Sequence, residues 1–338
     1  MNSVVKVRDK VRDKVKDKMV TLKEDKQLAN DSRKLIVMSK KFLFSFFKFI
    51  VLGCICYVIL GPLIGIISKS FFSSADNYNP MVYLIPVEGT FERYELAWIR
   101  LDYIKTLAHS LLYTLGLMLI QIMICSMVGY GFARFNFPLK KVLYGCVVVM
   151  IVLPPYTVML PLFLAFREID PLGLVTMFWG KAANLHDTPY PMVILTLFGC
   201  GLRSGLYIYI FNQFFRGLPV EIEEAAYIDG AGMWYTYFNI MLRNALPSVV
   251  TVSIFAMVWQ YNDTFYASLF KLPDVWALST KISSLAHTIS NVDVVRDPSI
   301  VQLYVYAGVI LVVLPVILIY MLLQKFFIEG VERSGIVG

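Results

Sequence analysis

Long apolar runs separated by shorter polar stretches dominate the chain from residue 42 onward. A helix needs about 20 predominantly apolar residues to cross a bilayer. Six segments reach this length, at 42–67, 107–132, 142–165, 192–211, 246–269 and 301–326. Because these runs are too long for the alternating strands of a β-barrel, we predict an all-α polytopic membrane protein with six transmembrane helices. Pro154, Pro155 and Pro161 predict a kink in the third helix.

The composition excludes several classes of protein. Apolar residues make up 58% of the chain and charged residues only 16%, whereas soluble domains carry about 25% charged residues. So many apolar residues cannot be hidden in one water-soluble core. An ordinary soluble enzyme, a nucleic-acid-binding protein and a disordered protein are therefore excluded.

The net charge of +7 is concentrated in the first 41 residues, which hold 13 Lys/Arg and 6 Asp/Glu. A basic stretch directly before an apolar segment is typical of a cytoplasmic flank. We expect a solvated, partly disordered cytoplasmic tail here rather than a signal peptide, because the charged region is too long for one. An even number of spans then places both termini in the cytoplasm.

The residues that usually carry chemistry are scattered. The five cysteines all lie within apolar segments, and the three histidines, at positions 109, 186 and 287, are far apart. Neither a disulfide framework nor a metal site is predicted. The sequence contains neither a phosphate-binding loop for ATP nor a nucleophile elbow, so we expect no catalytic residues and no cofactor in this chain.

One polar loop, at 212–245, is too long for a simple turn. Pro219 can occupy a first helical position, and acids at 221, 223 and 224 suit the positive end of a helix. Gly230 supplies a stop. The pattern predicts a helix of about ten residues that is stable only when docked on a partner, followed by a second amphipathic stretch at 233–242.

This loop resembles the EAA motif of ABC importer permeases. The motif residues are Glu224-Ala225-Ala226, then Gly230, then Ile240-Met241-Leu242. Arg243 stands where the family has proline, and Pro247 matches a second common proline. Segments 133–138, 214–219, 259–263 and 327–338 also resemble carbohydrate-importer permeases, above all the smaller six-span subunit of maltose-type importers. The resemblance implies the type I ABC importer permease fold.

In that family the EAA segment is a coupling helix that docks into an ATPase subunit. The resemblance, together with the acid at 221, assigns this role here to six residues: Glu221, Glu224, Ala225, Ala226, Asp229 and Gly230. The alternative is an amphipathic helix lying on the inner leaflet. That role favours a basic polar face, whereas this helix is acidic.

A second group of candidates lies near the outer end of the fifth span. Aromatic faces and amide or carboxylate groups suit a sugar, since apolar faces stack on the ring and polar groups bind hydroxyls. The substrate-path candidates are Trp259, Tyr261, Asn262, Asp263 and Tyr266. The alternative is a set of interfacial aromatics with a structurally satisfied Asn and Asp.

The resemblance also implies an assembly in the bacterial cytoplasmic membrane. This non-catalytic subunit would pair with a second permease, two ATPases that bind ATP and magnesium, and an extracytoplasmic sugar-binding protein, and it would import an oligosaccharide by alternating access. The alternatives are an ABC permease for another polar solute and, from a different class, a secondary transporter.

The predicted organisation is a basic tail (1–41), a first transmembrane helix (42–67), an extracytoplasmic segment (68–106), a permease core with five transmembrane helices and the loop 212–245 (107–326), and a cytoplasmic C-terminal tail (327–338).

Overall fold

The computed structural model describes residues 38, 40–170, 176 and 183–335, without the side chains of 323 and 325–335. Most of the predicted basic tail, and the last three residues of the predicted C-terminal tail, therefore lie outside the described residues. The described part is built from α-helices and short 3₁₀ turns, with one isolated antiparallel bridge between Ile169 and Ala183.

Fourteen α-helices are described here, numbered in chain order. They are α1 (Lys40–Lys69), α2 (Ser74–Tyr78), α3 (Glu92–Leu101), α4 (Tyr103–Arg134), α5 (Lys140–Val152), α6 (Met159–Arg167), α7 (Tyr190–Leu197), α8 (Ser204–Gly217), α9 (Glu221–Ile228), α10 (Met233–Asn244), α11 (Leu246–Tyr261), α12 (Phe265–Leu269), α13 (Leu278–Val292) and α14 (Pro298–Gly335). The chain divides into two units at Ile66, and α2 to α14 belong to the second unit.

Three helices in the described ranges are individually long and apolar enough to cross a membrane, namely α1, α4 and α14. They correspond to the first, second and sixth predicted spans. Two bent pairs raise this number to five if each pair is a single span. One pair joins α5 to the segment Pro155–Arg167 at 108°, and the other joins α10 to α11 at 77°.

The predicted kink of the third span is confirmed, and the helices on its two sides are bent by 108°. Pro154 is extended, with φ −63° and ψ 134°, and Pro155 begins a 3₁₀ turn that leads into α6. Because proline has no backbone N–H and disfavours helix at the residue before it, the two adjacent prolines separate α5 from α6.

The fourth predicted span, at 192–211, is not one continuous helix. Two helices replace it, α7 of 8 residues and α8 of 14 residues. Gly199 (φ +70°) and Arg203 (φ +60°) adopt left-handed backbone conformations between them, which interrupts the helical hydrogen-bond ladder. The fifth predicted span also breaks, since α11 ends at Tyr261 and the short α12 follows.

The core of the second unit contains two large apolar clusters that meet along α4. One surrounds Tyr207, Phe211 and Phe215 of α8 and includes Met241 of α10. The other joins α3, α13 and α14 to the first turn of α4, around Leu285 and Leu303. Both α4 and α11 therefore contribute residues to both clusters, α11 through Tyr261 in one and Val252 and Ala256 in the other.

Candidate functional site

The loop between α8 and α11 folds as two helices, α9 and α10. The prediction of a helix of about ten residues is close, since α9 has eight residues. Three acids lie in its first turn, where the exposed N–H groups of a helix start favour negative charge. The sequence suggested Pro219 for the first helical position. It lies outside the helix instead, because Val220 separates it from the first residue of α9.

The predicted stop at Gly230 is confirmed, with φ +82°. The N–H of Ala231 donates to the carbonyl of Ala226 at 2.9 Å, and the N–H of Gly230 donates to that of Tyr227 at 3.1 Å. This pair of bonds is the Schellman arrangement, which satisfies the last carbonyls of a helix and requires a left-handed residue at its end. The end of α9 is thus fixed by its own sequence.

Five of the six predicted coupling residues are exposed on α9 and its end, and Ala226 is the buried one. Ile228 lies among them with 85% of its surface exposed. Val220 and Tyr227 are exposed as well, and several exposed apolar side chains in one short segment are typical of a docking surface. The outer face of α9 therefore combines acidic and apolar groups.

A groove of about 690 Å³ runs between α9 and α10. Its lining residues are Ala226, Asp229, Gly230, Ala231, Gly232, Tyr235, Asn239, Ile240 and Arg243. Arg243, at the position where the resembling motif has proline, lies inside α10, which continues to Asn244. The helix therefore continues through this position, and the arginine adds a cation to the groove.

Glu223 attaches the inner face of α9 to α4, and it was not among the predicted coupling residues. Its carboxylate is buried and accepts hydrogen bonds from the hydroxyls of Tyr130 and Tyr227, the latter at 3.3 Å. Nε of Arg134 lies 3.2 Å from Oε2 of Glu223 as an ion pair, and Nη2 of Arg134 donates to the carbonyl of Leu218 at 2.8 Å. These contacts join α9 to the last two turns of α4.

The helix α10 is also joined to α4. The hydroxyls of Ser126 and Tyr237 lie 2.7 Å apart, and both are buried. Tyr237 belongs to a π-helical segment, Thr236–Met241, whose wider turn is common at functional positions in helices. Both helices of the loop therefore rest on one helix of the bundle.

The substrate-path candidates divide by exposure. Trp259 is 42% exposed, and the guanidinium of Arg203 lies 4.1 Å from the centre of its ring. Asn262 is also exposed, with its amide donating to the carbonyl of Val258 at 2.8 Å. Trp259 and Asn262 are thus the two exposed candidates.

The other three candidates are engaged within the protein. The buried hydroxyl of Tyr261 donates to the carbonyl of Val312 at 2.8 Å. The carboxylate of Asp263 accepts the N–H groups of Tyr266 and Ala267, each at 3.2 Å, so it caps the first turn of α12. The ring of Tyr266 is itself buried.

A buried polar group at the centre of the bundle was not predicted. The amide of Gln121 donates to the carbonyl of Leu202 at 2.6 Å and to the hydroxyl of Ser204 at 3.1 Å. Gln260 donates to the amide oxygen of Gln121 at 3.3 Å. These bonds connect α4 and α11 to the break between α7 and α8. Within the described ranges, no group of three His, Cys, Asp or Glu side chains could hold a metal ion.

Known proteins include two permeases similar to this chain in sequence and one transporter similar to it in fold. The diacetylchitobiose uptake system permease protein NgcG of Streptomyces coelicolor is 25% identical over 279 residues, covering 82% of this chain and 84% of that protein. The melibiose/raffinose/stachyose import permease protein MelC of Bacillus subtilis is 26% identical, covering 76% and 84%. A solved bacterial ABC transporter involved in the import of the acidic polysaccharide alginate is similar in fold, with a TM-score of 0.62, 21% identity and coverage of 84% of this chain and 96% of that one.

Residues 99–333, which are more than half of the chain, match the model of one protein family. The two bent helix pairs, the long helix α4 and the loop formed by α9 and α10 all lie within this region. The chain belongs to the binding-protein-dependent transport system inner membrane component family.

Proposed function

We propose that this protein is a permease subunit of an ATP-driven importer that moves an oligosaccharide across the bacterial cytoplasmic membrane. The observation that carries the proposal is α9, a short helix fixed at its inner face by Glu223 that exposes Ile228 and acidic residues at its outer face. An eight-residue helix gains little stability alone, so a rigid scaffold beneath an exposed surface indicates docking. The oligosaccharides named for the relatives support the substrate class.

The proposed topology has six spans and both termini in the cytoplasm. The long helices α1, α4 and α14 would supply three crossings. The bent pair of α5 and α6 would supply a fourth, α11 with α12 a fifth, and α7 with α8 a sixth, broken crossing. Broken helices are tolerated inside a bundle when other groups satisfy the freed backbone. The bond from Gln121 to the carbonyl of Leu202 does so here.

The proposed partners are a second permease, two ATPase subunits and an extracytoplasmic sugar-binding protein. ATP and magnesium would be bound by the ATPases, so this chain would be non-catalytic and without a cofactor of its own. The partner cleft for α9 should offer an apolar floor for Ile228 and cations for Glu221, Glu224 and Asp229. Such complementarity fixes the register of an interface more than its strength.

Transport would proceed by alternating access. ATP can shift an equilibrium between inward-facing and outward-facing states only through contacts that differ between them. In the proposed mechanism α9 makes those contacts with the ATPase, and its attachment to α4 carries the change into the bundle. Trp259 and Asn262 would contact the sugar, while Tyr261, Asp263 and Tyr266 hold the segment that presents them.

The test is a tagged purification of the chain from its native membrane in mild detergent, with identification of the proteins that accompany it. We expect an ATPase and a second permease. Glu224→Arg should lower recovery of the ATPase by about tenfold or more, because it places a cation where the partner expects an acid.

Glu92→Arg, a charge reversal on an exposed residue of α3, is the matched control and should leave recovery unchanged. If wild-type chain purifies without an ATPase even after cross-linking, the proposal is wrong and a secondary transporter becomes the leading explanation.

The substrate class is tested separately by uptake. Labelled diacetylchitobiose and raffinose serve as probes in cells with and without this chain. Uptake that depends on the chain supports oligosaccharide import. Recovery of the ATPase together with absence of uptake of either sugar would instead favour an ABC permease for another polar solute.

A further inference from the structure

Arg134 ends α4 with two contacts to different parts of the loop. Its Nε atom pairs with Glu223 of α9 at 3.2 Å, and its Nη2 atom donates to the carbonyl of Leu218, in the connection between α8 and α9. Lysine cannot reproduce this geometry, because its single ammonium lacks the planar fork of a guanidinium. The residue therefore fixes both the position and the approach direction of α9.

Two further residues on the same face of α4 hold the loop. Ser126, Tyr130 and Arg134 follow one another at intervals of four residues, which places them in a row along one side of the helix. Tyr130 donates to Glu223, and Ser126 pairs with Tyr237 of α10. The row thus contacts both helices of the loop.

Burial makes this attachment strong. The side chains of Arg134 and Glu223 are only 9% and 8% exposed. Separating two buried opposite charges leaves each of them without a partner in a medium of low polarity, which is strongly unfavourable. Sliding α9 along α4 would require this separation, so the two helices are expected to move as one body.

The opposite end of α4 is attached as well. The hydroxyl of Ser110 accepts the N–H of Leu278, at the start of α13, at 2.8 Å. Thr106 accepts a hydrogen bond from the ammonium of Lys281, also in α13, at 3.0 Å. With 32 residues and a rise of 1.5 Å per residue, α4 extends about 48 Å. It reaches from α13 to the coupling loop without a break.

We propose that Arg134 is the positioning residue that makes the coupling helix α9 travel with α4, so that a movement at the α13 end of the bundle reaches the ATPase surface. This inference rests on the proposed function of α9. It assigns to the Arg134–Glu223 pair a role in transmission, in addition to any contribution to folding.

The test uses the assembled complex, purified through this chain and reconstituted in vesicles. ATP hydrolysis is measured with and without the extracytoplasmic binding protein, loaded with diacetylchitobiose or raffinose, whichever stimulates the wild-type complex. In Arg134→Lys and Glu223→Gln we expect the ATPase to remain bound while the ratio of stimulated to basal hydrolysis falls by about twofold or more. A purely structural role would lower both rates together and leave the ratio unchanged. Arg216→Lys, at an exposed arginine of α8, should behave as wild type.

Milder variants decide the case in which the first two fail to assemble. Tyr130→Phe removes only the hydroxyl that donates to Glu223. Its matched control is Tyr207→Phe, at a tyrosine of the same apolar cluster whose buried hydroxyl makes no hydrogen bond within the described residues. We expect a reduced ratio in Tyr130→Phe and a normal ratio in Tyr207→Phe. A normal ratio in every variant that assembles overturns the role of Arg134 and leaves the proposed function standing, whereas a wild-type chain without ATPase would refute the proposed function itself.

Discussion

Gly129 of α4 lies directly against Phe211 of α8, so that a Cβ atom placed on Gly129 would stand 2.7 Å from the Cβ of Phe211. The same atom would lie 3.0 Å from the backbone nitrogen of Asn212 and 3.1 Å from the carbonyl oxygen of Ile208. The amide of Asn212 also donates to the carbonyl of Gly129 at 3.2 Å. Backbone atoms cannot rotate away, so the absence of a side chain at Gly129 sets the distance between these two helices.

Gly129→Ala should therefore push α8 away from α4 and destabilise the protein by about 1–3 kcal/mol, the usual cost of overpacking. Thermal unfolding in detergent measures this. Gly116→Ala is the control, since Gly116 lies in the same helix with nothing within 4 Å of its added Cβ. It should be neutral or stabilising, because alanine favours helix. A midpoint for Gly129→Ala equal to that of Gly116→Ala would show that the helices can separate without cost.

Gly230→Ala tests the end of α9, the proposed coupling helix. There is room for the added methyl group, but the φ of +82° strains any residue with a side chain, at about 1–2 kcal/mol. We expect a frayed end of α9 and lower recovery of the ATPase on purification. Gly232→Ala is matched, since Gly232 has equally open surroundings and an ordinary φ of −74°. Equal recovery for both variants would contradict a role for the rigid end of α9.

The long helices were predictable from sequence because their signal is local. Uninterrupted apolar composition is sufficient to identify α1, α4 and α14. The break between α7 and α8 was not predictable in the same way, since residues 198–203 lie inside a run that is long and apolar enough overall to be taken for one span. Left-handed turns at Gly199 and Arg203 are conformational features that hydropathy does not register. The two glycines flanking Cys200 were the available warning.

The two helices of the loop between α8 and α11 were predictable from sequence, but the orientation of α9 was not. Capping chemistry and the Gly230 stop follow from neighbouring residues, so the position of α9 could be inferred. Which of its acids faces inward depends on Tyr130, 93 positions earlier in the chain, and on Arg134. No local pattern distinguishes Glu223 from Glu221 or Glu224. One signal could have identified Glu223. Arg134 is a cation in the last turn of a spanning helix, and such a cation needs a buried acid as its partner if it packs inward.

Asp297 gives a pH dependence at the start of α14. A hydrogen bond from the Tyr78 hydroxyl, with others from Ser299, lowers the pKa of its carboxyl below the ordinary value of about 3.9. A carboxyl with a lowered pKa in the folded state stabilises the fold above its unfolded pKa, and this contribution is lost as the pH falls through the folded pKa. Thermal midpoints of wild type and Asp297→Asn should therefore differ above about pH 4 and converge as the pH falls below that value. Tyr78→Phe should move that convergence to higher pH. A difference that persists unchanged to the lowest pH would show that the charge is not its cause.

Trp259 and Tyr261 separate the proposed contact with sugar from the packing that supports it. Trp259 is exposed and its ring face lies against the guanidinium of Arg203, whereas the buried Tyr261 hydroxyl donates to the carbonyl of Val312. Trp259→Leu should reduce the initial rate of oligosaccharide uptake by about 2- to 10-fold, the value of an aromatic contact, with little change in the thermal midpoint.

Tyr261→Phe should lose about 0.5–1.5 kcal/mol of stability while uptake per folded molecule stays normal. The physical reason is that the Trp259 side chain is exposed, whereas the Tyr261 hydroxyl is bonded to α14 in the interior. Normal uptake in Trp259→Leu would remove this residue from the substrate path, and impaired uptake in a fully folded Tyr261→Phe would show that the interior hydroxyl takes part in transport.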